Sequence, residues 1–278
     1  MSCTGSPVRR GILRVALALI VLICSTALFA PWVAPHDPNA IDLSRKLQPP
    51  GGGYLLGTDH LGRDICSRLL YGARISVGTV LGIVALILVL SLGVGCAAGY
   101  AGGWVDALLM RTCDVFLTFP TFILAMFLIG VLGTGLGNVI LAIALTHWAW
   151  YARIVRGLVL SLKQRNYVLA ARIAGTSPLR ILLRHILPSV MAQLAILATL
   201  DIGHMMLHVS GLSFLGLGVQ PPTPEWGVMI NDARQYVWTQ PELILYPGLM
   251  IFLTVMAFNI PGDHLRDALD PVVRTQGG

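Results

Sequence analysis

The reading turns on Tyr167–Pro188, YVLAARIAGTSPLRILLRHILP. This stretch is half apolar and strongly basic, and it lies between two long apolar runs. From Arg153 to Arg184 there are seven Lys and Arg and no acid. Such a charged insert between apolar runs is a place for another macromolecule to dock. Ala170, Ala171 and Gly175 are small and fall on one side of the segment, so a partner surface can come close. Arg172, Arg180 and Arg184 can pair with acids on that partner. Gly175-Thr-Ser-Pro178 breaks the segment, with Pro178 in the first turn of a second helix and Pro188 at the entry to the next apolar run. The expectation is a helix–turn–helix lying on a membrane surface, able to transmit force into the runs on either side.

Those neighbouring runs decide the class. Of 278 residues, 55% are hydrophobic and only 12% charged, a balance foreign to ordinary soluble domains. Six runs are long enough to cross a hydrocarbon core as helices: Ile12–Ala30, Ile75–Tyr100, Val115–Leu132, Val139–Leu160, Leu187–Val209 and Leu243–Ile260. They are continuously apolar rather than alternating, which excludes a transmembrane β-barrel. The expected fold is therefore all-α and polytopic, with six transmembrane helices and a cytoplasmic coupling helix pair. Its expected divisions are an N-terminal span with an external loop over 1–74, a five-span core over 75–260 and a cytoplasmic tail over 261–278.

The net charge of +6 is distributed for a membrane rather than for nucleic acid. The stretch Gly211–Glu242 holds three acids and one Arg, against the acid-free basic segment above. By the positive-inside rule, 161–186 is cytoplasmic and 211–242 external. Both termini are then cytoplasmic, in agreement with Arg9, Arg10 and Arg14 ahead of the first run. The turn carrying Asp106, Arg111 and Asp114 is slightly acidic and votes weakly the other way. The first run resembles a signal peptide in its basic start, but it is long and Pro31 follows Ala30 at the natural cut, so a retained helix is expected. Of the five cysteines, only Cys66 falls in an external segment, which implies no disulfide framework.

Several local features are readable. Leu55–Ser76, LLGTDHLGRDICSRLLYGARIS, begins with Thr58 or Asp59 as a helix cap and puts Ile65, Leu69 and Leu70 on one face, away from Arg63, Asp64 and Arg68. It reads as a short interfacial helix forming a structural collar. Gly78-x-x-x-Gly82 and Gly95-x-x-x-Gly99 signal close helix packing in lipid. Pro120 should kink the third span. Gly262–Pro271 reads as a short charged helix of its own. Only two lysines occur, Lys46 and Lys163, and neither follows a glycine. The chain therefore lacks a Gly-Lys-Ser/Thr phosphate loop and is not an ATPase of that pattern.

Taken together, these motifs resemble a known family. Ala170-Ala171-x-x-x-Gly175 followed by His185-x-Leu187-Pro188 is similar to the coupling loop of bacterial ABC-importer permeases, departing at Leu169, where the general pattern has Glu. Leu56-Gly-Thr-Asp59 with Gly62-Arg-Asp64, Leu212–Pro222 with Glu225-Trp226-Gly227, and Gly262-Asp263 with Asp270-Pro271 resemble the second, C-type permease of the branch that imports dipeptides, oligopeptides and nickel. The resemblance implies a subunit without bond chemistry, in a bacterial inner membrane. A homologous sister permease, two cytoplasmic ATPases that bind ATP and Mg, and an external substrate-binding protein would be its partners. No cofactor in this chain and no nucleic acid are implied. The coupling residues would be Ala170, Ala171, Arg172, Gly175, Arg180, Arg184, His185 and Pro188.

The cargo is argued from ionisable residues at membrane depth, which are functional by default. Asp201, His204 and His208 recur at i, i+3 and i+7 on one helix face, and His147 comes to a similar depth on the preceding run. Imidazole suits nickel and a carboxylate can complete such a site. Helix-bridging hydrogen bonds are the plain alternative. Thr146–Arg153 and Thr199–His208 resemble nickel-importer permeases, whereas peptide permeases of the branch more often carry Glu near Val209. Nickel, free or chelated, is the expected cargo, with a dipeptide or oligopeptide as the alternative. An intramembrane zinc protease is disfavoured because His204-x-x-x-His208 encloses Met205 where that mechanism needs Glu. A stand-alone channel would move substrate without ATPase partners.

Overall fold

The structure, a computed structural model, describes residues 7–269, with side chains over 9–266. Ten α-helices hold the described chain: α1 Pro7–Val33, α2 Ile65–Ala101, α3 Gly103–Thr118, α4 Thr121–Leu132, α5 Leu136–Lys163, α6 Asn166–Ile173, α7 Pro178–Ile181, α8 Leu187–Phe214, α9 Trp226–Ala233 and α10 Glu242–Leu269. Five helical rods are long and apolar enough to span a bilayer, and α3 with α4 forms a sixth candidate bent by 91°. Among the described residues no strand forms, beyond the isolated bridges Gly51–Tyr54 and Thr58–Asp64. The expected all-α polytopic class holds.

The segment expected as the third span is not one kinked helix: α3 and α4 meet at 91° across a break at Phe119 and Pro120. Pro120 offers no N–H and excludes helical backbone from the residue before it, and Phe119 is accordingly extended at φ −90°, ψ 140°. The turn expected over Tyr100–Arg111 shrinks to Gly102 and Gly103, both at positive φ. Asp106, Arg111 and Asp114 therefore lie on α3 rather than in a loop.

The chain divides into two compact units. One comprises residues 1–82, 132–139 and 199–278; the other comprises 83–131 and 140–198. In the first, α1 packs along α10 and α9 packs on α10. In the same unit, the loop between α1 and α2 is organised by buried charge. The Asp59 carboxylate accepts from Leu61 N at 2.8 Å, Arg63 N at 3.0 Å and Arg63 Nε at 2.6 Å. Arg63 Nη2 also donates to Asp232 at 3.2 Å, and Arg68 Nε lies 3.5 Å from Asp59. Arg68 Nη1 donates to Pro38 O at 3.1 Å. A buried guanidinium needs such partners, since desolvating it unpaired costs several kcal/mol. Burial pushes the His60 imidazole beside this group below its ordinary value, with Asp59 opposing.

This geometry corrects two expectations. The separate interfacial helix does not exist: α2 runs unbroken for 37 residues from Ile65. Its cap is Asp64, which accepts from Ser67 N at 3.0 Å, because Thr58 and Asp59 are engaged in the preceding turn. Arg63, Asp64 and Arg68 are buried rather than facing away from the apolar side. The collar is completed by Glu225, fully buried, which accepts from Val228 N at 2.9 Å and Ser76 Oγ at 3.1 Å. Trp226 Nε1 donates to Leu69 O at 3.1 Å. Gly72 allows this approach, since a Cβ there would meet the indole at 2.6 Å.

In the second unit, α2 and α5 come together through small residues. A Cβ on Gly95 would lie 2.6 Å from Ala152 O, and one on Gly99 would lie 2.8 Å from Val159 Cβ. Cys113, Trp148, Ala149 and Ala152 form a buried cluster there. Gly78, by contrast, faces open space. Gly78→Ala is therefore expected to stabilise the helix by up to about 1 kcal/mol. Gly95→Ala should cost roughly 1–3 kcal/mol, because backbone must shift. Opposite changes in Tm of the two variants in detergent check this, and equal changes would refute it.

The acids of α3 meet the arginines of α5. Arg156 binds Asp106 through both Nε and Nη2 at 2.5 Å each, and Arg153 pairs with Asp114. Lys163 Nζ donates to Gly99 O at 3.2 Å and Tyr100 O at 2.8 Å, closing the C-terminal end of α2. Free cysteines are Cys24, Cys66, Cys96 and Cys113; Cys3 lies outside the described residues. The charged helix expected at Gly262–Pro271 is the end of α10, which continues through Pro261 to Leu269; Asp270 and Pro271 lie outside the described residues.

Candidate functional site

The basic hairpin is built from local signals. The α6 helix ends in a pair of reversed hydrogen bonds: Thr176 N donates to Ala171 O at 3.1 Å and Gly175 N to Arg172 O at 3.0 Å. This C-terminal motif requires left-handed backbone at its glycine, and Gly175 has φ +77°. Gly175 is thus beyond the helix rather than on the face of Ala170 and Ala171. Ser177 is extended before Pro178, as the residue ahead of a proline must be, and Pro178 opens α7 as expected.

The second arm differs from expectation. Pro178–Phe214 is one helical rod of 37 residues, so the second coupling helix is the start of span five and not a separate surface helix. Between α7 and α8 the rod widens into a π-helical turn at Leu182–Ile186, closed by Leu187 N donating to Leu182 O. Pro188 explains it: the ring lacks a donor for the Arg184 carbonyl and crowds it, and one extra residue in the turn relieves both.

Val168, Ile181 and Ile186 form the buried inner side of the hairpin, and Tyr167 Oη donates to His185 O at 3.3 Å. Ala170, Arg172, Gly175, Arg180, Arg184 and Pro188 are exposed, while Ala171 and His185 are half-buried. The structure adds residues the sequence reading passed over. Ile173 is 89% exposed and Leu179 66%, flanking the Gly175 turn, with Leu183 also exposed. These apolar side chains stand among the exposed Arg172, Arg180 and Arg184 on the same turn. The available signal was that Val168, Ile181 and Ile186 already satisfy the hairpin interior, leaving these three without a buried role.

The ionisable residues at membrane depth fall as follows. On α8, His204 Nδ1 lies 3.8 Å from Asp201 Oδ1, with the His204 side chain 73% exposed and that of Asp201 18%. His208 Nδ1 donates to His204 O at 2.9 Å. On α5, half-buried His147 places Nδ1 3.2 Å from Ile143 O. A carbonyl only accepts, so in both contacts Nδ1 is the donor. Met205 and Met206 are fully buried and are packing residues. Among the described residues, no group of three or more His, Cys, Asp or Glu is arranged to hold a metal ion.

Residues 90–275 match the family described as "Binding-protein-dependent transport system inner membrane component". Residues 12–50 match the "N-terminal TM domain of oligopeptide transport permease C". The chain is 57% identical over 263 residues to the nickel transport system permease protein NikC of Escherichia coli (strain K12), covering 95% of each chain. It is 44% identical over 269 residues to the glutathione transport system permease protein GsiD of Escherichia coli O6:K15:H31, covering 96% of this chain and 88% of that one. With five helices long and apolar enough to span a bilayer, a sixth candidate in α3 and α4, and a family match over most of its length, the chain belongs to the binding-protein-dependent transport system inner membrane components and is a multi-pass permease subunit of the ABC-transporter class.

Proposed function

We propose that this permease carries nickel, free or as a small chelate, into the cytoplasm. The observation that carries the reading is the 57% identity, sustained over 95% of both chains, to a permease named for nickel transport. The imidazoles of His147, His204 and His208 support it as borderline ligands suited to that ion, with the harder carboxylate of Asp201 3.8 Å from His204. A sister permease, two ATPases that bind ATP and Mg, and an external binding protein complete the assembly. The hairpin faces the cytoplasm, as do both termini, in keeping with the excess of Lys and Arg over 153–184. ATP-driven closure of the ATPase pair moves the hairpin, and span five moves with it. Alternating access follows from the rocking of the two permeases.

A tripeptide-type cargo is the competing reading, favoured by the 44% identity to a glutathione permease. Uptake of radioactive nickel, glutathione and dipeptide by the reconstituted importer separates them. Nickel accumulation that requires ATP and is not displaced by excess peptide supports the proposal; peptide uptake without nickel uptake overturns it. The double variant Asp201→Ala/His204→Ala is expected to lower uptake at limiting nickel by on the order of tenfold, the scale of weakened metal contacts, with assembly unchanged. Wild-type uptake at limiting nickel would remove both residues from the path.

A further inference from the structure

Two segments of the first unit carry exposed apolar side chains outside any apolar run. In the loop between α1 and α2, Leu43 is 67% exposed and Leu55 69%; between α9 and α10, Trp238 is 93% exposed. Contacts join the two segments. Lys46 Nζ stands 6.0 Å over the Tyr236 ring, and His60 stacks on the same ring at 5.8 Å. Arg45 shares a short 3-10 helix with Leu43 and donates to Tyr54 Oη at 2.9 Å, beside Leu55. Tyr236 O accepts from Thr239 N at 3.1 Å and from Gln240 N at 2.7 Å, closing a turn that contains Trp238. The patch is therefore held in place before any partner arrives, which lowers the entropy lost on binding.

An exposed Trp in a membrane protein serves either the headgroup belt or a protein interface. Trp32 has the surroundings of the belt, since it closes the apolar run of α1. Trp238 continues no such run: Arg234, Gln235 and Thr239 beside it are exposed. A Trp within a polar, charged rim is the composition of a binding hot spot. The rim is cationic. Arg45 pairs with Asp42 at 3.1 Å, but exposed Lys46 turns to an aromatic ring rather than to an acid.

The Arg63–Asp232 bond and the Lys46–Tyr236 contact put both segments on one side of the chain. The orientation proposed above makes that side external, and a transport system of the binding-protein-dependent family must receive its binding protein there. We propose that Leu43, Leu55 and Trp238, with Arg45 and Lys46 among them, form a docking surface for that protein. Trp238 enters an apolar pocket on it, and acids around that pocket meet the two cations. The proposal rests on the orientation but not on the identity of the cargo.

The test measures binding of the purified cognate binding protein to the assembled importer in nanodiscs. Trp238→Ala, which removes an exposed side chain, is expected to weaken binding about thirtyfold, the scale of an interface hot spot, through faster dissociation. Lys46→Glu is expected to slow association several-fold and to flatten its salt dependence. Wild-type affinity in Trp238→Ala would overturn the docking surface and assign Trp238 to the headgroup belt. Unchanged association in Lys46→Glu would overturn the charged rim. A membrane-impermeant maleimide applied to the outside of spheroplasts separates the orientation from the surface. Trp238→Cys is expected to label above the wild-type background and to be protected by added binding protein. No labelling from outside would overturn the orientation and the docking surface together; labelling without protection would overturn the docking surface alone.

Discussion

Gly175→Asp is expected to reduce ATP-driven uptake to background while the chain still inserts and assembles with its sister permease. Two effects act at this one position. The glycine sits at φ +77°, where any side chain is strained by roughly 1 kcal/mol or more, although Asp tolerates this backbone better than most. More important, a Cβ at Gly175 meets nothing of its own chain within 4 Å, so the substitution leaves the permease fold intact and places a carboxylate on the docking surface. It would stand between Ile173 and Leu179, both largely exposed. A partner pocket that takes those apolar side chains would then have to desolvate a charge, which costs several kcal/mol. ATP-dependent uptake in proteoliposomes, alongside co-purification of the ATPase subunits, reads both consequences. Normal uptake would remove the hairpin from coupling. A chain absent from the membrane would show instead that the turn is needed for folding. Gly175→Ala, with the strain but no charge, is expected to retain most of its uptake and so separates the two effects.

Asp59→Ala is expected to be the most destabilising single change in the loop between α1 and α2, by about 3–5 kcal/mol. The carboxylate accepts three hydrogen bonds and faces two arginines whose side chains are 2% and 1% exposed. Without it, Asp232 alone compensates Arg63 and Arg68, at 3.2 Å and 4.0 Å. Arg68 Nη2 is already buried without a hydrogen bond, so the loss of Asp59 adds to a guanidinium that is incompletely paired. Asp59→Asn keeps an acceptor for the two backbone N–H groups and should cost less. Tm in detergent and protease susceptibility of residues 34–64 are the readouts. A Tm within about 2 °C of wild type would mean that water reaches the arginines and that the cluster is not the anchor of the loop; at this chain size 1 kcal/mol already moves Tm by roughly that much.

The membrane class and the hairpin were legible because their signals are local. A run of twenty apolar residues must satisfy its own backbone in lipid and does so as a helix. A glycine after a helix and a proline three residues later state where one helix stops and another starts. The same locality explains the misses. Whether Pro120 bends or breaks a span depends on what neighbouring groups accept the freed carbonyls, and no pattern in Val115–Leu132 records that. Leu55–Ser76 looked like a collar helix with its charges turned outward, because Arg63, Asp64 and Arg68 are polar by type. Their burial depends on Asp232 and on the carbonyls of Pro38 and Pro222, residues far away in the chain. Gly78 and Gly95 carry the same local signature, and only tertiary placement put α5 beside one and open space beside the other.

The candidate path residues show the limit from the other direction. The spacing of Asp201, His204 and His208 correctly placed them along one helix, with Asp201 and His204 within 3.8 Å. The donor role of Nδ1 in His147 and His208 came from the carbonyls one turn back, which a linear reading does not assign. From sequence alone came what backbone chemistry and periodicity dictate: an all-α multi-span chain, its basic hairpin and the absence of a phosphate loop. Tertiary structure decided what depends on distant partners. It buried the charges around Asp59, broke Val115–Leu132 between α3 and α4, and fused the second arm of the hairpin to span five, so that Pro178–Pro188 is one end of a continuous apolar rod. Local free energy chooses helix or turn within a few residues; the fate of a charge or a glycine is set by which atoms the rest of the chain brings against it.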